Sequence, residues 1–436
     1  MDIALTSAIV IALLVGVLGL GTWIFVGLLA VSAISLVTLA GFSDHRLGVA
    51  LASIVLRASK SWELSAIPLF IWVGEILFKA GFSARLFRGL APLVDWMPGR
   101  LLHTNVVGCT LFAAVSGSSA ATTATIGRIT LTELKKRGYD EPLAVGSLAG
   151  AGSLGLLIPP SLLMIVYGVL AEVSIARLFA AGVLPGLMMA GLFMGWVMLR
   201  ALMNPAVAPK ASSDATRVPL WQSLWDLVPV LALIAVVLGS IYSGVATPSE
   251  AAAVGVILAL VLTALFGQLT WDLIKTSLQE TVLTSAMIVS ILVSAAFLST
   301  AAGYLHLPQE LASAISALQL NPYVLIALIA VFYLIGGMVL DGISLTVMTL
   351  PIVLPLVTGA GFDPLWFGVF LVIMVEVGQI TPPVGFNLYV LQGVTGHSLG
   401  QVARWAVPFF LLMCLGAALL TAFPTIALWA PSLIGR

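Results

Sequence analysis

Apolar runs long enough to span a membrane recur from one end of the chain to the other, separated only by short polar or glycine-rich stretches. At 1.5 Å of rise per helical residue, roughly 17 to 25 residues cross a hydrocarbon slab of about 30 Å. The pattern predicts about eleven transmembrane helices and two further pairs of apolar segments too short to cross alone. The expected fold class is an all-α polytopic membrane protein. Residues 375–393, VEVGQITPPVGFNLYVLQG, do not fit a plain span: a Pro-Pro pair, internal glycines and an acid sit inside an otherwise apolar run.

Composition agrees with the pattern. Of 436 residues, 61% are hydrophobic and 8% charged, against about 25% charged in a soluble domain. The formal net charge is zero, so total charge points to no partner class; a lipid bilayer is the expected surrounding and nucleic acid is not expected. Met1 and Asp2 lead straight into an apolar run with no basic segment and no small-residue cleavage signature, so the first span is expected to be retained. Cys109 and Cys414 lie in apolar runs without a CxxC pattern and are expected as buried small hydrophobes.

The longest polar linker, 204–222 (NPAVAPKASSDATRVPLWQ), divides the chain almost in half, giving expected repeats at 1–203 and 223–436. An offset of about 223 residues places Gly138 on Gly361, Asp140 on Asp363, Gly155 on Gly378, Pro159 on Pro382 and Pro160 on Pro383. The stretch at 375–393 thus has a twin at 150–168, GAGSLGLLIPPSLLMIVYG. At an offset of about 225, VSGSSAATTATIG (115–127) meets LDGISLTVMTLPI (340–352), with Gly117 on Gly342 and Ser119 on Ser344. Each half is expected to hold a re-entrant hairpin with a small, hydroxyl-rich tip (about 101–135 and 322–357), then a helix broken at Pro-Pro (about 141–170 and 364–393).

Charge sets the orientation, because short cytoplasmic loops carry excess Lys and Arg. Arg128, Lys135, Lys136 and Arg137 follow the first hairpin, whereas the matching stretch IVLPLVTGAGFD (352–363) has no basic residue. The halves are therefore predicted in opposite orientations. Of the 18 Lys and Arg, this threading leaves Arg46, Arg57, Lys60, Arg177 and Arg436 outside, and it starts the chain outside. Inverted repeats with helices broken at matching places are the signature of a secondary transporter whose site lies between the halves.

Each Pro-Pro break removes backbone donors and clashes with the preceding turn, so carbonyls around 155–158 and 378–381 are freed towards the hairpin tips. Carbonyl and hydroxyl oxygens are hard neutral ligands suited to a small hard cation, and the resuming half-helices present N-termini that favour an anion. The candidate intramembrane ionisable groups are the acids Glu75, Asp341 and Glu376, with no clear midplane Lys or Arg. An anionic substrate would then need co-bound cations; a proton relay through Asp341 and Glu376, or a structural capping role for Glu376, is the competing use. His45, His103, His306 and His397 lie far apart, and no P-loop or HExxH occurs, so ATP-driven transport and metalloprotease chemistry are not expected. Amphipathic runs at 83–96 and 308–318 are expected along the membrane interface.

Together, SGSSAATTATIG, KKRGYDEPLAVGSLAGAGSLGLLIPPS, ATPSEAAAVG (246–255) and VEVGQITPPVGFNLYV resemble the large membrane subunit of tripartite ATP-independent periplasmic (TRAP) transporters, over nearly the whole chain. The resemblance implies an inverted-repeat, elevator-type fold in the bacterial inner membrane. It implies sodium-driven uptake of a small carboxylate, such as a C4-dicarboxylate or sugar acid, delivered by a periplasmic substrate-binding protein. A small four-helix membrane subunit would be the second partner. One sodium site would use Ser116 and Ser118 with the backbone of Gly155, Ile158 and Pro160; its symmetry mate would use Gly337, Gly378 and Thr381. Asp341 would stand where the first tip has Ser116. Substrate contacts are expected between the tips, at Ser119, Thr122, Asp341, Ser344 and Pro383. A single-component symporter and proton-coupled transport are the alternatives.

With Cys109 and Cys414 replaced by alanine, Lys136→Cys should react with a membrane-impermeant thiol reagent only from the cytoplasmic side, and Thr358→Cys only from outside. Labelling of both from one side would remove the inversion.

Overall fold

The computed structural model describes residues 3–209, 219–307, 313 and 321–434. Among them no strand occurs. The first half runs through α1 (Ile3–Gly19), α2 (Ile24–Thr38), α3 (Asp44–Lys60), α4 (Ala66–Lys79) and α5 (Phe82–Val94) to a hairpin of α6 (His103–Ser116) and α7 (Ser119–Lys136). It continues with α8 (Glu141–Gly152), the single turn α9 (Leu154–Leu157), α10 (Leu162–Leu170) and the long α11 (Ile175–Met203). The second half holds α12 (Leu220–Tyr242), α13 (Pro248–Leu265), α14 (Trp271–Tyr304) and a hairpin of α15 (Pro322–Gly337) and α16 (Gly342–Gly359). After these come α17 (Pro364–Gln379), α18 (Phe386–Thr395), α19 (Leu399–Ala422) and α20 (Thr425–Leu433).

Six of the described helices are long and apolar enough to cross a bilayer unaided, or eight if each of two bent pairs counts as one span. One bent pair joins α3 to α4; the other is the first broken helix, α8 to α10. The expectation of about eleven spans counted shorter apolar helices such as α2 and α17 as well. Of the polar linker at 204–222, residues 210–218 lie outside the described residues; its beginning turns back so that Asp140 N donates to Val207 O at 3.1 Å.

Local chemistry fixes where helices start. Ser118, Asp140, Ser161, Thr247, Thr270, Asp341 and Asp363 each accept from a backbone N–H of the first turn, an N-cap worth about 1 kcal/mol. Pro142, Pro248, Pro322 and Pro364 occupy first-turn positions, where the missing N–H costs no helix bond.

Two groups of helices emerge from the packing. In one, α4 lies between α13 and α14, α14 also packs on α2, and α5 packs on α12. The amphipathic run at 83–96 becomes α5, with Phe82, Leu86, Leu90 and Val94 buried. Its polar edge is tied down: Arg85 Nη1 lies 3.7 Å from Asp226 Oδ1 with its guanidinium 4.0 Å over the Phe266 ring, and Arg88 Nε reaches Asp226 Oδ2 at 3.4 Å. The second amphipathic run, 308–318, lies outside the described residues except at 313. In the other group α8 packs on α19, α11 on α20, α15 on α17 and α7 on α18. Every residue from Leu365 to Gln379 in α17 is buried, as is every residue from Leu143 to Gly152 in α8, which suits helices apolar on all sides. Cys109 is buried as expected, whereas Cys414 is only half-buried, lining an apolar groove between α15, α17 and α19.

Replacing Asp226 by Asn should lower the free energy of unfolding by about 1–3 kcal/mol, because two arginines lose a charged hydrogen-bond acceptor. Glu133 pairs at the surface with Lys136 at 3.5 Å and Arg137 at 3.6 Å, and there Glu133→Gln should cost less than about 1 kcal/mol. Denaturant titration of the purified protein reads both.

Candidate functional site

The first hairpin tip is built from small residues because backbone has to meet backbone there. α6 stops where Gly117 takes a left-handed φ of 60°, a conformation open to glycine. Ser118 then caps α7, its Oγ accepting from Ala121 N at 3.4 Å. This tip is pressed onto the break between α9 and α10. A Cβ on Gly155 would lie 2.5 Å from Ser119 Cα and 2.6 Å from Ser118 O, and one on Gly117 would lie 3.1 Å from Pro160 O. Leu162 N donates back to Gly117 O at 3.4 Å. Within the break Ile158 is extended, the Pro159–Pro160 peptide is cis, and Ser161 Oγ restarts the helix by accepting from Met164 N at 3.3 Å. Ser116 Oγ stands 2.8 Å from Thr122 Oγ1 and donates to Ser118 O at 3.4 Å. Ser116, Ser118, Ser119, Thr122, Gly155 and Pro160 are thus brought together. Ile158 turns its side chain towards Gly186 of α11 and has only its backbone to offer.

The second half solves the same problem with different side chains. A Cβ on Gly378 would lie 2.6 Å from Gly337 Cα, and one on Gly337 would lie 2.9 Å from Val375 O. The Pro382–Pro383 peptide is again cis. Thr381 N donates to Gly378 O at 3.0 Å and Thr381 Oγ1 to Val377 O at 2.6 Å, so the hydroxyl oxygen keeps lone pairs free. Val384 N and Gly385 N both donate to Met338 O, at 3.2 and 3.1 Å, pinning the second tip to this break. Gly337, Gly378 and Thr381 lie together at the second break. Asp341 is not the counterpart of Ser116: its carboxylate accepts from Ser344 N at 3.1 Å as the N-cap of α16, the role that Ser118 fills for α7. The offset of about 223 therefore runs through the tip as well, because capping geometry fixes the register there. Ser344 is fully buried. Pro382 and Pro383 stand exposed, while Pro159 and Pro160 are buried.

Between the halves sits a residue the sequence reading missed. Ser119 Oγ of the first tip donates to Gln379 Oε1 at 3.3 Å, and a Cβ on Gly342 of the second tip would lie 2.8 Å from Gln379 Nε2. Gln379 therefore touches both tips. Asn387, also missed, donates from Nδ2 to Glu376 Oε2 at 3.2 Å across the second break. Both stand within four residues of the second Pro-Pro pair, but neither carries a periodic signature. Gly74 of α4 approaches as well, where a Cβ would lie 3.2 Å from Ser116 Cα. Its neighbour Glu75 is drawn away into a 4.0 Å pair with Lys79 one turn along.

Several buried polar atoms on these elements have no hydrogen-bond partner: Thr123 Oγ1, Ser344 Oγ, Thr346 Oγ1, Glu376 Oε1 and Asn387 Oδ1. Each such atom costs about 1–3 kcal/mol in a protein interior, which an occupant of the site would relieve. All are oxygens. Among the described residues no group of His, Cys, Asp and Glu forms a transition-metal site. The set fits a small hard cation held by carbonyls and hydroxyls.

Two helices broken at matching places inside a polytopic bundle, each covered by a hairpin tip, define a secondary membrane transporter. The chain belongs to the family described as "Tripartite ATP-independent periplasmic transporter, DctM component", which matches residues 9–426. It is 33% identical over 388 residues to a C4-dicarboxylate TRAP transporter large permease protein of Pseudomonas aeruginosa, covering 88% of this chain and 90% of that one. A Vibrio cholerae protein of the same description is 30% identical over 453 residues, with 98% of each chain covered. A sialic acid TRAP transporter large permease protein of Vibrio cholerae is 31% identical, covering 86% and 87%. Among solved structures, the fold resembles the YdaH transporter of Alcanivorax borkumensis with a TM-score of 0.70 at 15% identity, covering 94% of this chain and 98% of that one. It also resembles MtrF of Neisseria gonorrhoeae with a TM-score of 0.62 at 14% identity, covering 93% of each. The relatives are transporter permeases, not enzymes, and the chain is a multi-pass inner-membrane protein.

Gly155→Val and Gly378→Val should each destabilise the protein by about 1–3 kcal/mol or more, since the added side chain meets backbone that cannot move aside. Gly191→Ala, with nothing within 4 Å of its Cβ position, should change little. Unfolding midpoints of the three purified variants decide this.

Proposed function

We propose that this chain is the translocating subunit of a sodium-coupled importer for a small organic carboxylate. A periplasmic binding protein delivers the substrate, and a small membrane subunit completes the transporter. The observation that carries the sodium reading is the pair of breaks where neutral oxygens converge without a basic side chain: Ser116, Ser118 and the backbone of Gly155, Ile158 and Pro160 at one, Gly337, Gly378 and Thr381 at the other. Sodium at these positions supplies the positive charge that a carboxylate between the tips requires, with Ser119, Thr122, Asp341, Ser344 and Pro383 as its proposed contacts. The chain's own residues hold and orient: Gln379 sets the distance between the tips, and the capped starts of α7 and α16 direct N–H groups.

The C4-dicarboxylate and sialic acid permeases among the relatives support a carboxylate cargo. The mutual packing of α2, α4, α12, α13 and α14 supports an elevator movement of the tip-and-break unit against a static frame, in inverted halves with the N-terminus periplasmic. Gly74 lets the Ser116 backbone lie close to that frame.

In proteoliposomes holding this chain with its small membrane partner and binding protein, uptake of succinate or of a sugar acid should require an inward sodium gradient. Thr381→Val, which removes one ligand oxygen, should weaken sodium dependence roughly tenfold, equal to about 1.4 kcal/mol. Full uptake in sodium-free buffer driven by a proton gradient would overturn the sodium coupling.

A further inference from the structure

Two acids are buried among the described residues, and their surroundings are opposite. Asp226 lies between Arg85 and Arg88. Glu376, 0% exposed within α17, is in ion-pair distance of no described Lys, Arg or His. The titratable groups on the helices packed around α17 do not reach it. On α10 and α15, Tyr167 donates to Pro364 O and Tyr333 pairs with Thr349, while Tyr323 is exposed at the start of α15. Asp341 caps α16 and Asp363 caps α17 itself. Arg177 and Arg200 of α11, Tyr389 of α18, and Arg404 and Cys414 of α19 make no bond to it.

What does surround Glu376 is oxygen. Its Oε2 accepts from Asn387 Nδ2, while its Oε1 and Asn387 Oδ1 are buried without partners. Ser119 Oγ stands within hydrogen-bond reach of the same carboxyl and of Gln379 Oε1, at 3.3 Å from the latter. Side chains from α7, α17 and α18 thus bring one formal negative charge and unpartnered acceptors to a dry point whose donors are the Asn387 amide and a Ser119 hydroxyl shared with Gln379. An ionised carboxylate left in that state is more costly than two neutral hydrogen bonds offset. Hard oxygen donors with one acid match a monovalent cation.

We propose that Glu376, with Asn387 and Ser119, binds one sodium ion at a site additional to those at the two breaks. The site straddles the second break, so the charge it holds rides with α17 and α18. It adds one positive charge to whatever the breaks carry.

The test uses the purified full-length chain in phosphatidylcholine nanodiscs, with radioactive sodium binding as the readout. Glu376→Gln should bind one sodium ion fewer per chain than wild type. Asn387→Ala keeps the acid and serves if Glu376→Gln does not fold: it should weaken one sodium ion roughly tenfold. Sodium counts and affinities equal to wild type in the variant that folds overturn the proposal. Because the readout is the difference between chains, a failure of sodium binding at the breaks leaves this outcome readable.

Discussion

Backbone N–H and C=O groups cannot stand bare in hydrocarbon, and everything distinctive in this chain follows from breaking two helices at that depth. The carbonyls released around Ile158 and Thr381 must be covered by something polar that takes almost no room. Hairpin tips do this, and they fit only because Gly155 faces Ser118 and Ser119, and Gly378 faces Gly337, with no Cβ between the strands of backbone. The same closeness lines each break with carbonyl and hydroxyl oxygens.

The surrounding fold serves to hold these contacts in register. α8 and α17 are buried over nearly their full length, so the first half of each broken helix is fixed by packing on all sides. The second half can then be placed by a few specific bonds: Ser161 restarting α10, and Val384 and Gly385 tied to Met338 before α18. Gln379 links the halves, within reach of both tips.

Much of this was legible in the sequence. Pro-Pro pairs and glycines at a common offset announced the breaks, and the hydroxyl-rich segments announced the tips, since these residue types have few other uses inside an apolar run. The register of the second tip was not legible, because Asp341 and Ser118 share a capping role without sharing a side chain. Gln379 and Asn387 escaped because a single amide in a helix has no periodic signature; only the fold shows what lies opposite. The amphipathic character of 83–96 was plain, but its clamp on Asp226 depends on an arginine meeting a residue about 140 positions away.

The two breaks match in position but not in access. With Pro382 and Pro383 exposed and Pro159 and Pro160 buried, one is open to the surroundings of the chain and the other is sealed by its neighbours. A carrier that works by alternation has to be asymmetric at any one moment, because a path open at both ends would let its driving gradient run down.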